Sequence, residues 1–248
     1  MVYLLITVLG IALCSLIGAA AGFLLEDIPP RLDDTLTGGA AGIMLCAAIT
    51  GLIVPSTEFS GDCSVWLPSV GVLCGAAFLT LIGGAGQRLG AGLGMSAGDA
   101  GFREKTLTFV AAIAIHHFPE GIAAGVSFGT GDPSDALTVT SGIAFQNIPE
   151  AMILIPPLLK AGTGKRRAAA VAAVSGLVEI VGVLFGYYAV KLSTELLPFA
   201  LSFAGGTMLY VVTDDMIPQT HSGGSGRLAT YSALIGFCLM LVLGELTA

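Results

Sequence analysis

Two runs in this 248-residue chain bring together the side chains that hold divalent metal ions. Ile115-His116-His117-Phe118-Pro119-Glu120-Gly121 is echoed thirty residues later by Phe145-Gln146-Asn147-Ile148-Pro149-Glu150-Ala151. Each run is two residues with nitrogen or oxygen ligand atoms, one apolar residue, then Pro-Glu. Residues three and four apart share a helix face, so His116 and His117 project near Glu120, and Gln146 and Asn147 project near Glu150. Imidazole, carboxylate and amide oxygen together suit borderline divalent metals such as zinc, cadmium, iron or manganese better than monovalent ions. Two such clusters sharing Glu120 and Glu150 could bridge two ions.

A third acid, Glu179, stands in the otherwise apolar run Ser175-Gly176-Leu177-Val178-Glu179-Ile180-Val181-Gly182. An acidic residue at the centre of a membrane helix costs roughly 2.5–3.5 kcal/mol on insertion scales, so three of them call for compensation. His116 and His117 are the nearby sources of positive charge, because every Lys and Arg falls at the end of an apolar run. Protons or metal ions must supply the rest. Pro119 and Pro149 each remove one backbone donor beside these ligands, which predicts a kinked or loosened helix at both places.

The elements that must position these residues follow from hydropathy. With 54% hydrophobic and 11% charged residues and a mean hydropathy of +0.89, the chain has too few charges to cover a water-soluble globule. Eight apolar stretches of near-bilayer length recur, at about 3–25, 36–54, 65–84, 106–129, 136–160, 168–190, 196–214 and 229–247. They are continuous rather than alternating in polarity, which excludes an eight-stranded barrel. The reading is an all-α polytopic membrane protein: one transmembrane domain over 1–248, an eight-helix bundle. The duplicated Pro-Glu runs lie on consecutive helices that cross in opposite directions, a local inverted repeat. No Lys or Arg precedes the first stretch, which is read as a retained helix rather than a signal peptide.

Orientation comes from the basic residues. On this map Arg31, Arg88, Arg103, Lys105, Lys160, Lys165, Arg166, Arg167 and Arg227 fall on one side and Lys191 on the other. The positive-inside rule puts the nine in the cytoplasm and both termini outside a cytoplasmic membrane. Glu58, Asp62, Asp132, Asp135 and Glu195 in the outer loops could weakly concentrate cations. The net charge of −7 carries no basic footprint for nucleic acid, so the partners are metal ions and the lipid bilayer. Oligomeric state is not written in the chain, and a homodimer is one open arrangement. Cys14, Cys46, Cys63, Cys74 and Cys238 show no CxxC spacing and read as small apolar residues. Gly38-Gly39, Gly83-Gly84 and Gly205-Gly206 read as places where helices approach closely.

Two rival functions are weaker. An intramembrane hydrolase using Glu120 or Glu150 as a base on metal-bound water would need an open substrate position, and no His-Glu-x-x-His run exists. A metal-stabilised structural or sensory protein would bind ions tightly without flux. The reading is therefore not an enzyme and has no catalytic cofactor; zinc or another divalent metal is bound as cargo.

The His116-to-Gly121 and Gln146-to-Glu150 runs resemble the metal-site motifs on helices four and five of the ZIP (ZRT/IRT-like) metal transporters, especially the prokaryotic type. The seventh stretch, Gly206-Thr207-Met208-Leu209-Tyr210-Val211-Val212 leading to Ile217-Pro218, fits the same family. The resemblance implies a primary site of His116, Glu120, Gln146 and Glu150, with Met44 as an additional ligand. It implies a second site of His117, Glu120, Asn147, Glu150 and Glu179. It also implies that helices 1, 4, 5 and 6 move against 2, 3, 7 and 8. His117 stands where that branch has asparagine, and residues 85–105 carry none of the family's loop histidines. Asp214 and Asp215 after the seventh stretch, with His221 nearby, read either as solvated interfacial groups or as a metal exit station.

Overall fold

A computed structural model of the chain describes residues 2–25, 29–61, 65–92, 117–160, 163–192, 194–222 and 226–247. Their backbone is helix joined by short turns, with no strand among the described residues. Helix α1 is Val2–Leu24 and α2 is Pro30–Glu58, the latter containing a π turn at Ala47–Ile53. Helix α3 is Trp66–Gly92, and α4 is described over 117–126 before a 3₁₀ turn at Ser127–Thr130. Helices α5 and α6 are Pro133–Lys160 and Lys165–Leu192. Helix α7 runs Leu197–Val211, widens into a π turn at Val212–Met216 and ends as Ile217–Ser222; α8 is Gly226–Thr247.

Four of these helices, α1, α2, α6 and α8, are long and apolar enough to cross a bilayer, and Trp66–Leu81 within α3 is a shorter apolar run. Their outward faces are oily: Leu9 and Leu13 on α1, Val181 and Phe185 on α6, and Leu234 and Leu239 on α8 each expose more than half their surface. Polar groups are inside instead, with Glu120, Gln146, Asn147 and Glu179 at 0% exposure. That inversion is stable only with lipid as solvent, because helices satisfy their own backbone and keep charged groups off the hydrocarbon. The chain is an all-helical membrane protein.

Glycines set how the helices pair. A Cβ at Gly18 or Gly22 of α1 would overlap the carbonyl oxygens of Ile148 and Met152 on α5, and one at Gly38 or Gly42 of α2 those of Ala229 and Ala233 on α8. Gly71 and Gly75 of α3 meet Ser202 and the Phe203 carbonyl on α7, while Gly121 and Gly125 of α4 meet the Glu179 and Val183 carbonyls on α6. In the last pair α6 reciprocates with Gly182 and Gly186 against Phe118 and Ile122. Each seam uses two glycines four residues apart, so two backbones run side by side over a full turn. The numbers rise together on both partners, so every seam joins parallel helices.

Between α5 and the α2–α8 pair the contacts differ in kind. Gly51 faces the Val139 side chain, Gly142 faces the Met240 sulfur and methyl, and Gly244 faces the Thr138 methyl. Side-chain tips, rather than backbone locked on backbone, form this boundary. It separates α5 from α2 and α8.

The loosened turns are not where Pro149 suggested. Helix α5 stays α-helical through Pro149, whereas the wide turns fall just before Pro55 in α2 and Pro218 in α7. Proline removes the donor to the carbonyl four residues back and crowds it, here at Gly51 and Asp214, and a π turn relieves that clash. Pro119 lies too near the start of the described stretch of α4 for its upstream turn to be seen. The turn into α5 is fixed at Gly131, whose φ of +87° suits glycine, and by Asp132. Asp132 Oδ1 accepts from the Ser134 backbone N–H and hydroxyl, both at 2.8 Å, and these bonds hold its carboxyl below the usual carboxylate range.

If the seams require bare backbone, Gly42→Ala and Gly121→Ala should each destabilise the protein by about 1–3 kcal/mol. Gly10→Ala, with no atom within 4 Å of its added methyl, should leave stability equal or slightly higher. Denaturant titration in detergent with a folding-sensitive size-exclusion readout measures all three.

Candidate metal centre

The site lies where α4, α5 and α6 meet α1. Helical spacing puts Glu150 one turn from both Gln146 and Asn147 on α5, and His117 and Glu120, three apart, on one face of α4. All five are buried, Glu150 the least at 8% exposure. Ligand atoms of His117, Glu120 and Glu150 lie within 4.8 Å of one another. This puts two carboxylates and one imidazole around a single point in a water-poor interior, where like charges repel strongly unless a proton or cation stands between them.

The two amides of α5 part company. Gln146 Nε2 donates to Glu120 Oε1 at 2.9 Å. Asn147 Nδ2 donates to both oxygens of Glu179, at 2.9 and 2.8 Å, and lies 3.3 Å from the Ser15 hydroxyl on α1. Ser175, one turn before Glu179 on α6, is 3.2 Å from His117 Nδ1. Three hydrogen-bonded groups therefore link α5 to α4, α5 to α6 and α1, and α6 to α4. They also fix which way each amide points: the NH₂ groups face carboxylates, because carbonyl against carboxylate would be repulsive.

That choice strands the acceptors. Glu120 Oε2, Gln146 Oε1, Asn147 Oδ1 and Glu150 Oε2 are buried with no hydrogen-bond partner. Buried lone pairs normally find donors, and leaving four orphaned at one place is costly unless something positively charged is to be received there. The donor set, two carboxylate oxygens, two amide oxygens and an imidazole, fits a divalent cation of the zinc type.

The other residues picked out from sequence are placed as follows. His116 lies outside the described residues. Met44 is fully buried on α2 in the same apolar core as Ile143 and Ala144 of α5. Asp214 and Asp215 are exposed in the π turn of α7, and the His221 side chain lies outside the described part. Cys14, Cys46, Cys74 and Cys238 are free thiols, and Cys63 lies outside the described residues. Sequence reasoning missed Ser15 and Ser175. The spacing of Ser175 from Glu179 could have marked it, since residues four apart share a face, but an isolated Ser15 in an apolar helix gives no such signal.

Comparison with known proteins gives the family. Residues 95–244 match the family model described as ZIP Zinc transporter. The zinc transporter GufA of Myxococcus xanthus is 47% identical over 137 residues, covering 55% of this chain and 54% of GufA. The zinc transporter ZIPB of Bordetella bronchiseptica is 34% identical over 250 residues, covering 92% of this chain and 80% of ZIPB. Human zinc transporter ZIP11 is 40% identical over 146 residues, 54% of this chain and 41% of ZIP11. The matched part is thus about half the length of GufA and less of ZIP11. With a family model matched over more than half its length and a relative aligned nearly end to end, the chain belongs to the ZIP zinc transporter family.

Proposed function

We propose that this chain carries divalent metal ions, zinc first, with cadmium, iron and manganese as chemically admissible cargo, toward the cytoplasm through a binuclear site on α4, α5 and α6. The reading rests on one observation above others: four orphaned buried acceptor oxygens gathered around His117, Glu120 and Glu150. Zinc as first cargo is supported by the names of the relatives, GufA, ZIPB and ZIP11, each a zinc transporter.

The two sites share Glu120 and Glu150, with His116, Gln146 and Met44 on one side and His117, Asn147 and Glu179 on the other. For an amide oxygen to ligate, Gln146 and Asn147 must each turn over, exchanging a donated hydrogen bond for a metal bond. The incoming cation replaces the NH₂ groups as the partner of the carboxylates and takes up the acceptor oxygens that have no partner without cargo. The whole chain is one transmembrane domain of eight crossings with both termini outside, multi-pass in the cell membrane. Asp214, Asp215 and His221 lie at the inner end of α7 as exit-route ligands.

Movement follows the boundary between side-chain tips. Backbone-locked seams hold α1 to α5 and α4 to α6, and the polar network ties these four together; the seams α2–α8 and α3–α7 belong to the other body. We read transport as a sliding of the first body, carrying its metal, against the second.

Three measurements test this. Radiolabelled zinc uptake into proteoliposomes should be saturable for the wild type and fall by more than about a hundredfold in Glu120→Ala with Glu150→Ala. Equal uptake by wild type and an equally inserted double variant sinks the assignment. A disulfide between Gly51→Cys and Val139→Cys, in a background without the native cysteines, has a Cβ separation of 3.8 Å, near the usual bridge value. It should stop uptake until reduced; undiminished uptake by the bridged protein contradicts relative movement of the two bodies. Metal ligands bind deprotonated, so zinc binding should release protons and weaken as pH falls. Calorimetry in buffers of different ionisation enthalpy reads the release, and a buffer-independent heat argues against carboxylate and imidazole ligation.

A further inference from the structure

Helix α2 holds a second group of unsatisfied oxygens, away from the binuclear cluster. Asp33 Oδ1, Asp34 Oδ2 and Thr37 Oγ1 are buried without a hydrogen-bond partner, although Asp34 and Thr37 are only 6% and 5% exposed. Thr37 is three residues from Asp34 and four from Asp33, one turn from both, and helical side chains lean toward the N-terminus, so its Cβ leans toward the turn that carries the two acids. Most hydroxyls in this chain take the easy partner one turn back, as Thr35 does with the Arg31 carbonyl at 2.6 Å and Thr50 with that of Cys46 at 2.8 Å. Thr37 does not. The positive end of the helix dipole favours acids in the first turns, but it neither satisfies buried lone pairs nor accounts for the threonine.

Spacing connects this group to the centre of the protein. Asp34, Thr37, Ala41 and Met44 succeed one another at intervals of three, four and three residues, and all are buried. They form one inward stripe on α2, about 15 Å long at 1.5 Å per residue, from the basic end of the bundle to the level of Met44. The Pro30–Cys46 part of α2 packs against the 212–222 part of α7.

We propose that Asp33, Asp34 and Thr37 form a cation station at the inner end of α2, one that takes a divalent ion leaving the buried cluster. The proposal rests on the transport reading above. Its chemistry differs from that of the cluster in a way that suits release. Two carboxylates and a hydroxyl are hard oxygen donors without imidazole, so the station holds zinc more weakly and accepts manganese or magnesium comparatively well. An ion passing from a nitrogen-containing site to an oxygen-only site meets falling affinity toward the exit.

The test separates station from transport. In a Glu120→Gln, Glu150→Gln background that disables the buried cluster, Mn²⁺ alone is titrated in detergent and followed by electron paramagnetic resonance. Binding near one ion per chain is expected, lost on adding Asp34→Asn and kept with Asp34→Glu; identical titrations with and without Asp34→Asn overturn the station. In the otherwise native chain, Asp34→Asn should lower the maximal rate of zinc uptake roughly tenfold, the cost of one charge-assisted ligand, with KM for external zinc little changed. Thr37→Val, which removes a neutral ligand and leaves the acids, should lower the rate less, by roughly threefold. Should Asp34→Asn not fold, Thr37→Val decides, and an unchanged rate and Mn²⁺ titration for it overturns the proposal. Mn²⁺ binding lost with Asp34→Asn while the wild type moves no zinc would sink the transport reading and leave the station standing.

Discussion

The structure depends on one electrostatic constraint: three carboxylates, Glu120, Glu150 and Glu179, are held inside a protein whose exterior is hydrocarbon. Charge in such a place must be compensated locally, because lipid offers neither water nor counterions. Each acid is partly answered from within. Gln146 answers Glu120, Asn147 answers Glu179, and His117 lies beside Glu120 and Glu150. The compensation stops short, with carboxylate and amide oxygens left over. That deficit is what a cation would answer under the proposed function, and it is built into side chains that four helices hold in place.

Holding them requires helices close enough for short side chains to touch across the gap. An amide to carboxylate bond of 2.9 Å between α4 and α5 leaves no room for lateral drift. The glycine seams supply that closeness. Gly121 and Gly125 bring α4 onto the backbone of α6, and Gly18 and Gly22 bring α1 onto α5, so the acids and amides face one another at hydrogen-bonding range. In a membrane, where burial of apolar surface does little to draw helices together, tight backbone contact and buried hydrogen bonds carry the association. The seams and the polar network therefore depend on each other.

The same logic distinguishes what is rigid from what can slide. Backbone against backbone over a full turn cannot shift by a residue without steric clash, whereas the Val139, Met240 and Thr138 side chains facing Gly51, Gly142 and Gly244 can re-pack by changing rotamer. Both π turns lie in the body opposite His117, Glu120, Gln146, Asn147, Glu150 and Glu179, one just after Met44 and the other around Asp214 and Asp215. Wide turns leave backbone carbonyls less constrained, and their position beside the candidate route places adaptable backbone next to a fixed set of ligands.

The amino-acid sequence by itself determined the solvent, the secondary structure and the chemistry. Continuous apolar runs leave lipid as the only medium in which the chain can fold, and one-turn spacing puts His117 with Glu120 and Gln146 with Glu150 whatever the helices pack against. Those are properties of a single helix and need no neighbour. Which neighbour each face meets was left to the tertiary structure. Spacing along α5 gives no hint that Gln146 turns to α4 while the adjacent Asn147 turns to α6 and α1, because consecutive residues on a helix point about 100° apart into different interfaces. Nor does it show that Ser15 and Ser175 support the cluster, or that Asp34 and Thr37, polar enough to pass for a solvated helix start, are buried. The wide turns fell at Pro55 and Pro218 rather than at Pro149. The reason is common to all of these: periodicity fixes direction around one helix axis, and only packing fixes what stands in that direction.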